Sequence, residues 1–263
     1  MTRRLLIVGN WKMNLNTSQA SVLVHRLQER IKISRDVEVV LCPSTMVLQP
    51  LSMQIDRRKF RLGAQNGYHK DEGAFTGEVA ISMMRDLVHY VIVGHSERRH
   101  VFGEDDKMIR DKVEACIRNN ISPILCVGET KQERLAGETK QVLHDQLTVD
   151  LSNITSRDLS DLVIAYEPVW AISSGSNFHS HEAATPDQIA DAVGTIKRNL
   201  EHMFGTRIAR RARILYGGSV SASNAESYMG VDGVDGLLVG GASLNYDQFS
   251  DIVSHAQKLT RDN

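Results

Sequence analysis

The 263-residue chain has three cysteines, Cys42, Cys116 and Cys126, five prolines, 5% aromatic residues, and almost no excess of either charge, with 31 Lys and Arg against 32 Asp and Glu. An odd cysteine count without a CxxC pair, or a nearby His pair at zinc spacing, argues against a disulfide framework or a zinc site and leaves reduced structural thiols. The balanced charge gives no reason to expect nucleic acid or an acidic membrane surface as a partner. No apolar run approaches the roughly 20 residues needed to cross a bilayer. The start Met1-Thr2-Arg3-Arg4 is positive, but the apolar stretch behind it is only Leu5 to Val8, far short of a signal-peptide core, so the expected location is cytoplasmic. Neither GxGxxG nor GxxxxGK followed by Ser or Thr occurs, which disfavours nucleotide binding by those routes. No linker rich in Pro, Gly or Ser divides the chain, and at 41% hydrophobic residues it can bury a full core as a single domain over residues 1–263.

What is present is a strict alternation. Short apolar, β-branched runs fall at Leu5 to Val8, Val37 to Cys42, Phe60 to Ala64, Tyr90 to Val93, Ile121 to Val127, Leu162 to Tyr166, Arg213 to Tyr216 and Val234 to Val239. Near-continuous apolar character suits strands buried on both faces, and the segments between them carry helical periodicity, as in Ile109, Val113, Cys116 and Ile117, or Phe249, Ile252, Val253 and Ala256. Thr185-Pro186-Asp187-Gln188 has capping-box spacing with Pro at the first helical position and predicts a helix start there. Eight strand–helix units in unbroken order predict an α/β fold, a closed (β/α)8 barrel; a doubly wound open sheet is the alternative.

In such a barrel, sites form where the strands end. Gly217-Gly218-Ser219 and Gly240-Gly241-Ala242-Ser243 close the last two runs. Backbone N–H groups there can approach an anion with no Cβ in the way, although a tight strand-to-helix turn needs glycine equally. Glu167 follows a continuous apolar strand, which suits a general base in a partly dry site, or a rim carboxylate paired to an arginine. His95 precedes Ser-Glu-Arg-Arg, a plausible first helical turn whose positive end keeps an imidazole neutral and able to donate to a carbonyl oxygen. Lys12 brings a positive charge to the same mouth. Taken together, these groups fit proton abstraction next to the carbonyl of a small phosphorylated ketone or aldehyde.

The blocks Gly9-Asn10-Trp11-Lys12-Met13-Asn14, Gly73-Ala74-Phe75-Thr76-Gly77-Glu78, Gly94-His95-Ser96-Glu97-Arg98-Arg99, Ala165-Tyr166-Glu167-Pro168-Val169-Trp170, Tyr216-Gly217-Gly218-Ser219-Val220 and Gly240-Gly241-Ala242-Ser243-Leu244 resemble the triosephosphate isomerase family, in order along nearly the whole chain. The resemblance implies a TIM barrel that interconverts dihydroxyacetone phosphate and glyceraldehyde 3-phosphate through an enediolate, with no metal or cofactor. It implies Glu167 as the base, His95 as the neutral electrophile, Lys12 and Asn10 as substrate-binding groups, and Glu97 as support beside Lys12. Ser173, Ser219, Gly240 and Gly241 would hold phosphate. It further implies a homodimer in which the loop Gly73 to Glu78, with Thr76 at its tip, enters the partner's site.

One segment departs from the family. The lid after the sixth strand reads Ala171-Ile172-Ser173-Ser174-Gly175-Ser176-Asn177-Phe178-His179-Ser180-His181-Glu182-Ala183-Ala184, longer than the usual form and with Ser173 in place of a glycine. His179 and His181 are read as solvated loop residues rather than metal ligands. A changed lid bears on rate and substrate size, so an isomerase of a four-carbon ketose phosphate such as erythrulose phosphate is an alternative, and a non-catalytic barrel a third.

Overall fold

The computed structural model describes residues 4–156, 162–172 and 183–260. Strands β1 (Leu5–Asn10), β2 (Val37–Cys42), β3 (Phe60–Ala64), β4 (Tyr90–Val93), β5 (Ser122–Val127), β6 (Val163–Tyr166), β7 (Arg213–Tyr216) and β8 (Gly236–Val239) close a parallel barrel in sequence order. The closing pair sets Leu6 against Gly236, and a side chain at Gly236 would meet the Leu6 carbonyl at 1.9 Å, so this contact requires glycine.

The helices are α1 (Thr17–Arg30), α2 (Thr45–Ser52), α3 (Ser96–His100), α4 (Asp106–Arg118), α5 (Lys131–Leu135), α6 (Thr139–Asp150), α7 (Pro186–Phe204), α8 (Thr206–Arg211), α9 (Ala225–Met229) and α10 (Tyr246–Leu259). Helix α7 begins as its sequence predicts, with Thr185 and Gln188 forming a reciprocal capping box and Pro186 in the first turn. Its apolar stripe, Ile189, Val193, Ile196 and Leu200, is buried. The third unit differs from expectation. Among the described residues, β3 and β4 are joined by a long loop with only a 3-10 turn, Ile81–Met84, and the loop bends at Gly73 and Gly77, both at positive φ.

Side chains pointing into the barrel form their own cluster, including Leu6, Val8, Val40, Ile92, Ile124, Ala165, Leu215 and Leu238, while the opposite faces pack against the helices. The interior is a filled core rather than a channel, and its upper layer carries the chemistry. Strand β1 runs two residues beyond the predicted Val8, because Gly9 and Asn10 stay in register with Leu41 and Cys42. The alternation Leu6, Val8, Asn10 therefore delivers Asn10 to the barrel mouth.

Candidate active site

The same alternation places Glu167, two residues beyond Ala165 of β6, over the interior layer. It is 2% exposed. Its backbone N–H donates to Val127 O at 2.8 Å, and the close pass of β5 against it leaves no room for a side chain at Gly128, whose Cβ would lie 2.0 Å from Glu167 O. Gly217 is constrained in the same way, since a Cβ there would sit 2.8 Å from Glu167 Cγ. The glycines at these two strand ends thus make room for the carboxylate.

At the end of β4, Gly94 takes a positive φ and turns the chain so that His95 faces the mouth as the cap of α3. The Nδ1 of His95 accepts the Glu97 N–H at 3.2 Å. Accepting that bond requires a lone pair on Nδ1, so the ring is neutral with its proton on Nε2. Nε2 faces Glu167 Oε1 at 3.2 Å, and Glu167 Oε2 accepts the Ser96 N–H at 3.0 Å. Both carboxylate oxygens are therefore engaged. Below Glu167, burial and the neighbouring carboxylate push the Cys126 thiol well up, which keeps it protonated.

Lys12 approaches from β1 with a left-handed backbone, φ 52°, which its contacts hold in place. Its N–H donates to Asn10 Oδ1 at 3.1 Å, and its carbonyl accepts Gln65 Nε2 at 2.8 Å, which also donates to Cys42 O at 2.9 Å. The Lys12 ammonium is then aimed at Glu97, Nζ to Oε1 2.7 Å. One carboxylate and one cation thus fix each other beside the imidazole.

Asn10, Lys12, His95 and Glu167 share one cleft of about 280 Å³ with Gly217, Ser219, Gly240 and Gly241. Gly241 opens a 3-10 turn, Gly241–Leu244, tied by Ser243 Oγ to the Gly240 carbonyl at 2.6 Å. A side chain at Gly241 would meet nothing within 4 Å, so its backbone borders open space. The Ser219 N–H donates to Ala171 O at 2.8 Å, and Ser219 lines the cleft. Glu97 stands just behind Lys12. Ser173 and the His179 to Glu182 stretch lie outside the described residues, and among those described no cluster of His, Cys, Asp or Glu could hold a metal. The three cysteines are free and buried.

Several groups in this site have roles that their local sequence does not assign. The Ser96 N–H is a backbone donor, which any residue would supply. What Gln65 and Glu129 touch is set by the fold. Glu129 is fully buried and accepts from Tyr166 Oη at 3.1 Å, Trp170 Nε1 at 2.9 Å and Arg134 Nη1 at 3.2 Å, while the Arg134 guanidinium stacks 4.4 Å over the Trp170 ring. This hub anchors the segment that leaves Glu167 toward the lid.

The fold and the cleft define a (β/α)8 barrel with a buried carboxylate–imidazole pair at the C-terminal ends of its strands and a glycine-lined rim. The sequence profile of the triosephosphate isomerase family matches residues 5–256, and the chain belongs to that family. It is similar to proteins named triosephosphate isomerase from Rhodopirellula baltica, 41% identical over 97% of this chain and 99% of the relative, and from Clostridium novyi, 40% identical over 96% and 98%.

Proposed function

We propose that the chain interconverts dihydroxyacetone phosphate and D-glyceraldehyde 3-phosphate, acting as one catalytic domain over residues 1–263. The observation that carries this reading is the facing pair of Glu167 Oε1 and His95 Nε2 at 3.2 Å, with the proton of the neutral ring fixed on Nε2. In the substrate complex the carbonyl oxygen takes the His95 N–H, and Glu167, freed from that contact, removes a proton from the adjacent carbon. The C–H electron pair forms the C–C double bond of an enediolate, whose negative charge lies beside His95 and the Lys12 ammonium. The hydroxyl proton then passes to the former carbonyl oxygen by way of His95 Nε2, and return of the proton from Glu167 to the carbon that bore the carbonyl completes the exchange. Asn10 lines the reacting end, Glu97 holds Lys12 in place, and Ser219, Gly240 and Gly241 receive the phosphate, joined by the Ser173 N–H when the lid closes. The proton transfers use side chains of this chain and call on no cofactor.

The relatives carry the triose name, so the four-carbon ketose reading is not favoured. A homodimer is part of the reading. Residues 71–78, including Thr76, are exposed, and Met13, Met46, Phe75 and Met83 present apolar side chains on the segments that follow β1, β2 and β3. A partner covering that side would bury them. Membership of the family supports a cytoplasmic location. The test is isomerisation in D2O followed by NMR. Deuterium on the carbon-bound position of the product supports an enediolate with exchange at Glu167, and turnover with strict retention of hydrogen in a base-deleted variant contradicts it.

A further inference from the structure

Behind the wall that carries His95 lies a buried charge cluster to which the mechanism assigns no role. The Arg99 side chain is 8% exposed and places four hydrogen bonds from its donor fork. Nε donates to the Gly94 carbonyl at 2.8 Å, and Nη2 donates to the Cys126 carbonyl at 2.9 Å and to Asp150 Oδ2 at 2.6 Å, while Nη1 pairs with Asp106. The two carbonyls belong to the last turn before His95 and to the layer beneath Glu167. Gly94, Ser96, Arg99, Cys126, Gly128 and Glu167 lie together between the cluster and the base. Asp150, at the end of α6, is fully buried, and its Oδ1 has no hydrogen-bond partner among the described residues.

We propose that Asp150 is a positioning residue that acts through Arg99 on the Gly94 to Ser96 turn, and that turnover is fastest when Asp150 is ionised. Ionised Asp150 holds Nη2 by a charge-assisted bond and fixes the guanidinium between α6 and the two carbonyls. Once protonated, it releases that constraint, and Arg99 leans on the half-exposed Asp106. The charged groups bearing on Asp150 among the described residues are Arg99 of α3 and Asp106 of α4, while β5 presents only the Cys126 carbonyl. Burial pushes the Asp150 carboxyl up to about 7, against the pull of Arg99 and with a further push from Asp106, so the switch falls near neutrality.

The inference rests on the function proposed above, and the test separates the two. The kcat of the full-length protein on glyceraldehyde 3-phosphate is measured from pH 5.5 to 9 for the wild type, Asp150→Asn and Asp106→Asn. In parallel, the His95 ring nitrogens are followed by NMR without substrate. The wild type is expected to show a rise in kcat with a midpoint near pH 7. Asp150→Asn should lack that rise and run about 3- to 10-fold slower at pH 8 with little change in KM. Because Asp106 pushes Asp150 upward, Asp106→Asn should move the midpoint to lower pH, a shift that a merely structural role would not produce. Comparing variants cancels the ionisation of the substrate phosphate near pH 6. An unchanged step in Asp150→Asn, or an unmoved midpoint in Asp106→Asn, overturns the proposal. If the wild type does not turn over the triose, the functional reading fails. The positioning claim is then decided by the His95 resonances, which should follow the pH 7 midpoint in the wild type and not in Asp150→Asn.

Discussion

Glu167 and His95 face each other across 3.2 Å, Oε1 to Nε2, while the other Glu167 oxygen rests on the Ser96 N–H at 3.0 Å. In the proposed reaction this contact is one that Glu167 must leave: the substrate carbonyl oxygen competes with Glu167 for the His95 N–H, and its binding frees the carboxylate to reach carbon.

Replacing Glu167 with Gln removes the base and keeps the cleft. Turnover should fall by at least about 10²–10⁴-fold, with small change in affinity for a phosphate-bearing inhibitor, read by steady-state kinetics and calorimetry. Near-normal turnover would remove Glu167 from its role.

Gly217→Ala tests the packing of the base instead of its chemistry. The added methyl would meet Glu167 Cγ at 2.8 Å, so the carboxylate must shift. A loss of kcat on the order of 10²-fold is expected, as for a small misplacement at a reacting centre, in a protein that still folds by circular dichroism. An unaffected kcat would mean that the position of Glu167 is not set by this contact.

Glu129→Gln keeps the shape and weakens three charge-assisted contacts, to Tyr166, Trp170 and Arg134. Stability should drop by about 1–3 kcal/mol in urea titration, and kcat should fall with it because the segment after Glu167 loosens.

Much of this was legible in the residues themselves. The eight apolar runs gave all eight strands to within two residues, because parallel strands buried on both faces leave continuous apolar stretches. The residues expected at the strand ends, Asn10, Lys12, His95, Glu167, Ser219, Gly240 and Gly241, do share one cleft. The helix expected between β3 and β4 is absent because Gly73 and Gly77 break the chain there. The pairing of Arg99 with Asp150 spans 51 residues and depends on two helices docking on adjacent strands, which no local pattern encodes. Read alone, Asp150 is one more polar residue near the end of a helix.

Asp150 also predicts how stability varies with pH. Its carboxyl rises from an ordinary 3.8 to about 7 on folding, so between those values the folded protein holds a proton that the unfolded chain has released. Its contribution to stability is complete below about pH 4 and is lost as pH rises toward 7, at no more than about 1.4 kcal/mol per pH unit. Thermal melts of Asp150→Asn should lack that component, so that the Tm difference between the two moves in the variant's favour as pH rises from 5 to about 7.

Thr76→Arg places a charge at the tip of the loop proposed to enter a partner. Light scattering should report weakened dimerisation, and activity should fall in parallel; a fully active dimer would contradict the interface.

The most direct measurement is kcat/KM of the purified wild-type protein on D-glyceraldehyde 3-phosphate in a coupled assay, with a four-carbon ketose phosphate run alongside. A value of about 10⁷–10⁸ M⁻¹s⁻¹ on the triose, close to the diffusional ceiling, is the predicted result and means that the lengthened lid closes productively. A triose rate lower by several decades with faster turnover of the four-carbon compound, or no turnover of either, would contradict it.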